Sequence, residues 1–585
     1  MRLCSKWGSF LAFAALFAAG AGFVFWGTWS MDLVPIMPDC PTSFPADYAE
    51  EWMRGWNRSG KFVPGDIIAF IGSPYFWVEL RYVLPVFFAA LGMAYFLRGR
   101  GLSRPASYGA GLFLAFSGYW LTLFSAGHLG WFQWMTYGVF AFGLIDRAFA
   151  KGKIRHWALL GAVLAWGSFY QPDLWLLFTV FTAVYFAYRY AASALANKGT
   201  PPRERWIPVR WLKGAAVSLA VFVLIGLPSF RSAIFGDLAS RDKQIDSGET
   251  VSGGVTDESE KRWIFVTNWS MPPEDTREFW NARVHGDTSC PMTLAIGEGR
   301  GNGIKPYAGR LGRPLNASSG NYRQHSLYVG WLTCLMAIVG VLTGFKNRDV
   351  LFFLACGTVF WLFSLGRFCE PVYRIVYSLP MGDYLRAPVK WHHLTEFCIV
   401  VLAGYGLQSV YSALRASESL PRFMAPAAIL FLVAVGIADL AKNDALYCAP
   451  HAADATVAPL GKVIAEVPEN PSRAESLIVY IRESLKSGGK EPYVFGKYIF
   501  EGPKGAKILG PHHYSAYAQD GSEFAIDLPV VEFAAERPKL SEQGEVMGDG
   551  PFLMAVVSIL VSGLAVGLLV FTALNSRVDG KLRFS

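Results

Sequence analysis

Charge is scarce in this chain: Asp, Glu, Lys and Arg make up only 17% of its 585 residues, where soluble domains carry about a quarter. With 53% of residues hydrophobic, an ordinary water-soluble globule is excluded. Nucleotide signatures are missing as well. There is no Walker motif, no dinucleotide fingerprint and no GxSxG elbow, so nothing visible would drive a nucleotide-dependent reaction. HExxH and HxH pairs are also missing, as is any internal repeat of useful strength. The formal charge of +8 does not suggest nucleic acid, because in a membrane protein the side that carries the basic residues says more than their total.

Long apolar runs are plentiful, several of them near the ~20 residues that a bilayer requires. Twelve spans are expected, near 8–29, 76–97, 107–125, 131–146, 157–170, 173–192, 212–229, 326–344, 350–366, 391–410, 423–441 and 551–573. The N-terminal "MRLCSKWGSFLAFAALFAAGAGFVFWGTW" starts like a signal peptide. Its apolar run is too long for a typical cleaved signal and reads as an uncleaved first helix. With both termini placed in the cytoplasm, the inside segments hold about 22 Lys/Arg and about 5 Asp/Glu. About 31 of the 53 Lys/Arg and about 40 of the 45 Asp/Glu remain outside. Roughly +17 inside therefore stands against roughly −9 outside, the positive-inside pattern.

The expected architecture is an all-α polytopic membrane protein with a membrane domain over 1–441. Long outer loops fall at 30–75 and 230–325, an extracytoplasmic α/β cap at 442–550, and a last helix and cytoplasmic tail at 551–585. In the first loop Phe44, Tyr48, Trp52 and Trp56 recur at four-residue spacing, which suits an amphipathic interfacial helix. The second loop is rich in Gly, Asn and Pro and is expected to be largely irregular. In the cap, "SRAESLIVYIRESLKSG" has a helical pattern, and "EPYVFGKYIF" and "FAIDLPVVEF" have extended ones. Cys40, Cys290, Cys369 and Cys448 fall outside. They permit up to two disulfides and are equally compatible with free thiols.

Polar groups recur at the outer ends of the spans, where ionisable residues tend to be functional. Asp32 and Asp39 follow the first span. His128 lies in the turn between spans three and four, and Gln171 and Asp173 lie in the turn between five and six. Asp383, Arg386, Lys390, His392 and His393 precede span ten in "GDYLRAPVKWHH". Each has a plainer role: Asp173 as a helix cap, Lys390 with Trp391 as an interface anchor, Glu396 as a partner for Lys390 or a histidine. Adjacent histidines on a helix point about 100° apart and make a poor metal pair; helical zinc pairs use spacings of three or four. An anion site fits better. Pro388 is a natural helix start, Arg386 and Lys390 flank it, and open N–H groups there favour phosphate. Few polar residues are expected deep inside the spans.

Three stretches resemble YfhO-type bacterial membrane proteins: "FSGYWLTLFSAGHLGWFQWMTYGVFAFGLIDRAF" with its Gly-His turn, "NYRQHSLYVGWLTCLMAIVGV", and "LPMGDYLRAPVKWHHLTEFCIVVLAGYGLQ" with its Leu-Ala-Gly-x-Gly. Lys390 stands where such proteins more often carry a second Arg. The resemblance implies a fold similar to GT-C glycosyltransferases in a bacterial inner membrane. It also implies transfer of a sugar from a polyprenyl-phosphate donor to a cell-envelope polymer, glycolipid or protein acceptor. Asp32, or Asp39 as second choice, would then act as base. Arg386 and Lys390 would hold the donor phosphate, with His128, His392 and His393 on phosphate or sugar hydroxyls. Gln171, Asp173 and Asp383 are further candidates. No cofactor is called for; a divalent metal is compatible with the chemistry, but no motif asks for one. A lipid-sugar flippase or transporter and a non-catalytic assembly protein are the competing expectations.

Overall fold

A computed structural model describes residues 2–25, 33–35, 74–123, 129–169, 172–196, 209–232, 258–285, 326–379, 382–448, 463–466, 479–485, 490–495, 498–503, 513–517, 523–527, 530–532, 561–562 and 564–565. The described chain is largely helical. The helices are α1 Arg2–Val24, α2 Pro74–Gly99, α3 Arg104–Ala115, α4 Gly118–Thr122, α5 Leu129–Lys151, α6 Ile154–Gly167, α7 Pro172–Ala196, α8 Val209–Ser232, α9 Glu258–Thr267, α10 Trp331–Gly344, α11 Arg348–Ser364, α12 Glu370–Tyr377, α13 His392–Ala416 and α14 Met424–Cys448. Eleven of the twelve apolar runs thus fold as helices, two of them broken. Of the run at 551–573, only residues 561–562 and 564–565 are described.

Among the described residues, four helical stretches are long and apolar enough to cross a membrane: Asp173–Leu195, Val209–Gly226, Pro388–Ala416 and Met424–Ala445. A fifth forms if the bent pair Arg348–Ser364 and Gly366–Tyr377 counts as one span. The chain is therefore a helical, membrane-embedded protein. The pair bends by 112° at Gly366, whose φ is +49°. A Cβ there would lie 2.1 Å from Ser270 Oγ and 2.6 Å from Pro388, so the bend needs both glycine's left-handed freedom and its small size.

Helix α13 is the axis of the bundle. It packs against α10, α11, α3 and α14, and fourteen of its residues are buried. The glycines of "LAGYGLQ" explain the closeness. A Cβ on Gly406 would sit 1.9 Å from Met336 O, and one on Gly340 would sit 2.1 Å from Leu402 O, so α10 and α13 touch backbone to backbone. Gly404 faces the opposite neighbours, with Leu97 and Ala110 within 3.2 Å of an added Cβ. Between membrane helices small residues do this work, because lipid is as apolar as leucine and packing must supply the attraction.

The helix ends form two sets. At one end, which bears the basic loops, Arg100, Asp146, Arg189 and Asp349 meet. At the opposite end Lys390 meets Asp173, and Ser117 meets Glu396. Antiparallel α3 and α13 span the two. Ser103 N–H donates to Gln408 Oε1 at 2.6 Å near the basic end, and the Ser117 hydroxyl donates to Glu396 near the other.

Beyond the bundle the described strands form three small antiparallel sheets: β2 Val463–Glu466 with β4 Tyr498–Pro503 and β3 Lys490–Phe495; β5 His513–Tyr517 with β6 Glu523–Asp527; and β1 Leu33–Pro35 with β7 Val530–Glu532. The two extended patterns expected in the 442–550 segment do form strands, and residues 479–485 are helical. The β1–β7 pairing joins Leu33 to Glu532, Val34 to Val531 and Pro35 to Val530. It fastens this segment to the first loop, one residue beyond Asp32. The expected irregular loop at 230–325 has helical parts among its described residues: α9 and a 3-10 turn at Pro273–Phe279.

Candidate functional site

"GDYLRAPVKWHH" folds as two 3-10 turns, Gly382–Tyr384 and Pro388–Trp391, the second running directly into α13. Pro388 does open the helix. Ala387 just before it has φ +64°, a conformation that costs energy for a residue with a Cβ. Facing it is Trp269, also left-handed at φ +57°. Two backbone bonds clasp the segments: Ala387 N–H to Val266 O and Val389 N–H to Trp269 O, both 3.1 Å. Arg367, just past the Gly366 bend, braces the same loop. Its side chain donates to Thr267 O at 3.1 Å and Asn268 Oδ1 at 3.0 Å, and its N–H donates to Ser270 Oγ at 3.0 Å. Three chain segments and three left-handed residues thus form one knot.

Arg386 is half-buried and fixed by this knot. Its guanidinium carbon lies 4.4 Å from the Phe265 ring centre and 4.5 Å from that of Trp269. Two aromatic faces hold the planar cation by cation–π attraction. Next to it, Asp383 pairs with Arg262 at 2.8 Å, both about one-third exposed.

The remaining candidates lie elsewhere. Lys390 is only 5% exposed and its ammonium is paired with Asp173. It is neither an interface anchor nor placed to share a phosphate with Arg386, because the Asp173 carboxylate already takes its charge. Trp391 is buried too, stacked on Phe360 at 5.7 Å. Asp173 accepts from Leu174 N–H at 2.9 Å as the second residue of α7 rather than as its cap, and carries the ion pair as well. The amides expected to be open for an anion at the helix start are used: Val389 N–H by Trp269 O and Lys390 N–H by Ala387 O. Asp32, Asp39, His128 and Gln171 lie outside the described residues, as do Phe44, Tyr48, Trp52 and Trp56.

His392 and His393 are both fully buried. Tyr119 packs on them, with ring centres at 4.9 and 4.4 Å, and Phe279 packs on His392 at 4.4 Å. Tyr119 also donates its hydroxyl to Val389 O at 3.2 Å. The pair is therefore walled by aromatic rings and cannot touch a sugar hydroxyl in this arrangement. Among the described residues, no group of three or more His, Cys, Asp or Glu is placed to hold a metal ion. Cys334, Cys356, Cys369 and Cys398 carry free thiols.

Of two sets of polar residues inside the bundle, sequence reasoning named only Glu396. At the basic end Asp146 takes Arg189 Nε at 2.7 Å, Arg100 at 3.4 Å and the Tyr185 hydroxyl at 2.8 Å. Asp349 takes Arg100, Tyr188 at 2.8 Å and Tyr405 at 3.3 Å. At the other end Glu396 and Asp444 are fully buried beside Ser117, Asn443 and Ser326. The expectation of few polar groups within the spans is thereby corrected. The available signals were "SG" inside the apolar run at 107–125, where Ser/Gly pairs favour a break, and "KND" closing the run at 423–441. A scan of the chain against protein-family models gives no match, and a search of curated proteins gives none.

Proposed function

We propose that this protein is a GT-C-like membrane glycosyltransferase of twelve spans in a bacterial inner membrane, with both termini cytoplasmic. It takes a sugar from a polyprenyl-phosphate donor and passes it to a cell-envelope acceptor on the outer face. The observation that carries this reading is the Arg386 knot. A half-buried guanidinium stands between two aromatic rings at the start of a spanning helix, on a backbone strained at Ala387 and Trp269. Strain of this kind persists where surrounding structure over-determines it, as at ligand clamps. A planar cation at membrane level suits a lipid phosphate, which it binds through two parallel hydrogen bonds, and it would stabilise the charge of the departing phosphate. Lys390 has the supporting role of tying α7 to α13 through Asp173.

The base in this reading remains Asp32, with Asp39 as second choice. The β1–β7 pairing supports it by bringing the 442–550 segment beside the first loop, where an acceptor would have to be admitted. The test is transfer in membranes supplied with polyprenyl-phosphate sugars, comparing the wild type with Arg386→Gln, Asp32→Asn and Asp39→Asn. A base contributes roughly 10²–10⁴-fold, so one Asp variant is expected to lose that much. Full activity in both Asp variants eliminates the base, and full activity in Arg386→Gln eliminates the phosphate clamp. A second reading, a lipid-sugar transporter, draws on one specific observation: a spanning helix broken beside buried acids, the pattern by which transporters bind coupling ions.

A further inference from the structure

The span that begins at Arg104 is interrupted. Helix α3 stops at Ala115, α4 starts at Gly118, and Ser117 lies in extended conformation between them, with φ −69° and ψ 128°. Thirteen residues separate Arg104 from the break, about 18–20 Å of helix, which places it past the middle of a hydrocarbon layer of about 30 Å. Gly118 holds the break against the chain entering α10. Its N–H donates to Tyr328 O at 2.7 Å. A Cβ on it would lie 2.8 Å from that oxygen, 3.0 Å from Ser326 Oγ and 3.1 Å from Asn443 Nδ2.

Around this break two carboxylates are buried with no Lys or Arg partner among the described residues. Glu396 and Asp444 are each 0% exposed. Glu396 accepts from the Ser117 hydroxyl and from the Tyr119 backbone N–H, and Asp444 uses one oxygen for the Asn443 amide at 3.2 Å. Their other oxygens, Glu396 Oε2 and Asp444 Oδ2, accept no hydrogen bond from the described residues, and neither does Asn443 Oδ1. The nearest base, His393, has its Nδ1 3.9 Å from Glu396 Oε2, beyond hydrogen-bond reach. Lys390 is committed to Asp173. Leaving buried charge uncompensated costs several kcal/mol per ion, and unmade bonds to buried oxygens add to it.

We propose that this break is a binding site for a monovalent metal cation of the sodium class, held by the three open oxygens of Glu396, Asp444 and Asn443. The Ser117 hydroxyl, which gives its proton to Glu396, keeps lone pairs that can add a further oxygen donor. The C-terminal end of α3 adds its negative dipole end, as unwound half-helices do at sodium sites in transporters. A small hard cation of low charge fits this donor set better than calcium, which takes six to eight oxygens. The site does not depend on the glycosyltransferase reading, since Arg386 and the first loop contribute nothing to it.

The test uses the full-length protein in detergent micelles. Its thermal unfolding midpoint is followed as LiCl, NaCl or KCl replaces choline chloride at constant ionic strength. One of the three cations is expected to raise the midpoint saturably. Glu396→Gln and Asp444→Asn are expected to weaken its apparent affinity at least tenfold, while Glu370→Gln, an exposed acid paired with Arg374, leaves the response intact. Gly118→Ala retains both acids and is also expected to weaken it, which covers the case in which an acid variant fails to fold. A wild-type midpoint indifferent to all three cations overturns the proposal, because the acids would then be neutralised by protons alone. An undiminished response in folded Glu396→Gln and Asp444→Asn overturns it as well.

Discussion

The two ends of the bundle treat buried carboxylates in opposite ways. At the basic end Asp146 and Asp349 meet two guanidiniums and three tyrosine hydroxyls, and every charge has an opposite charge within 4.0 Å. At the other end Glu396 and Asp444 have only neutral donors for company, the Ser117 hydroxyl, the Tyr119 N–H and the Asn443 amide, and no Lys or Arg among the described residues pairs with either. A balanced network carries its own neutrality and so can fix architecture: this one joins α5, α7, α11, α13 and the turn after α2. An unbalanced pair must obtain neutrality from outside the protein. Charge balance, rather than burial, separates the architectural acids from those suited to ligand binding.

The largest expected effect is at the balanced end. Asp146→Asn leaves Arg100 and Arg189 short of one carboxylate, and breaking a buried ion network from one side costs about 3–5 kcal/mol. The loss should be plain in the denaturant midpoint of the purified protein, or in its folded yield. Lys390→Met is expected to cost a similar amount, because it strands Asp173. Adding Asp173→Leu should then recover much of the loss, since exchanging a whole buried pair for apolar residues is often neutral. A double-mutant cycle measures that coupling. If the double variant is as unstable as the single one, the pair does more than tie α7 to α13.

Next come the glycine contacts and the knot. With 1.9 Å between an added Cβ and Met336 O, Gly406→Ala must push α10 away from α13. Overpacking of this kind costs about 1–3 kcal/mol, read as a lowered unfolding midpoint. Arg386→Lys keeps the charge and loses the planar stack on Phe265 and Trp269. A cation–π contact is worth about 0.5–2 kcal/mol, so donor affinity should fall by roughly tenfold with little change in stability. An Arg386→Lys protein with unchanged donor affinity would make the knot an architectural feature like the Asp146 network.

Much of this was legible in the sequence, and what was not has a physical reason. Apolar length fixes helices well: α2, α7, α8 and α13 lie within a few residues of the runs that predict them, and Pro388 marks its helix start. Extended patterns at 490–503 and 523–532 likewise became strands. Pairing across the bundle is different. That Lys390 meets Asp173, 217 positions away, depends on how α7 packs beside α13, and no local pattern encodes it. Lys390 and Trp391 therefore read as an interface anchor, although both point inward. The acids at 146, 349 and 444 sit at the edges of apolar runs and look like loop residues until neighbouring helices cover them.

The smallest expected stability effect is the sharpest test of the comparison. Glu396→Gln changes the carboxylate to an amide of nearly the same shape. If Glu396 were structural in the manner of Asp146, losing its charge would cost several kcal/mol, because an opposite charge would be stranded. The only ion-pair partner of Glu396 among the described residues is His393 at 3.9 Å, a fully buried histidine walled by Tyr119. No fixed cation is stranded when the acid goes, and the amide can still accept from Ser117. In choline chloride the variant should therefore match the wild type within about 1 kcal/mol, or exceed it through relief of buried charge. In the stabilising salt the wild type should pull ahead, since a ligand that binds only the folded state adds stability in proportion to the logarithm of its concentration. A large cost in choline would place Glu396 with Asp146 and remove the distinction between the two ends. Equal stability in choline with a gap that widens as the salt is added would fix it.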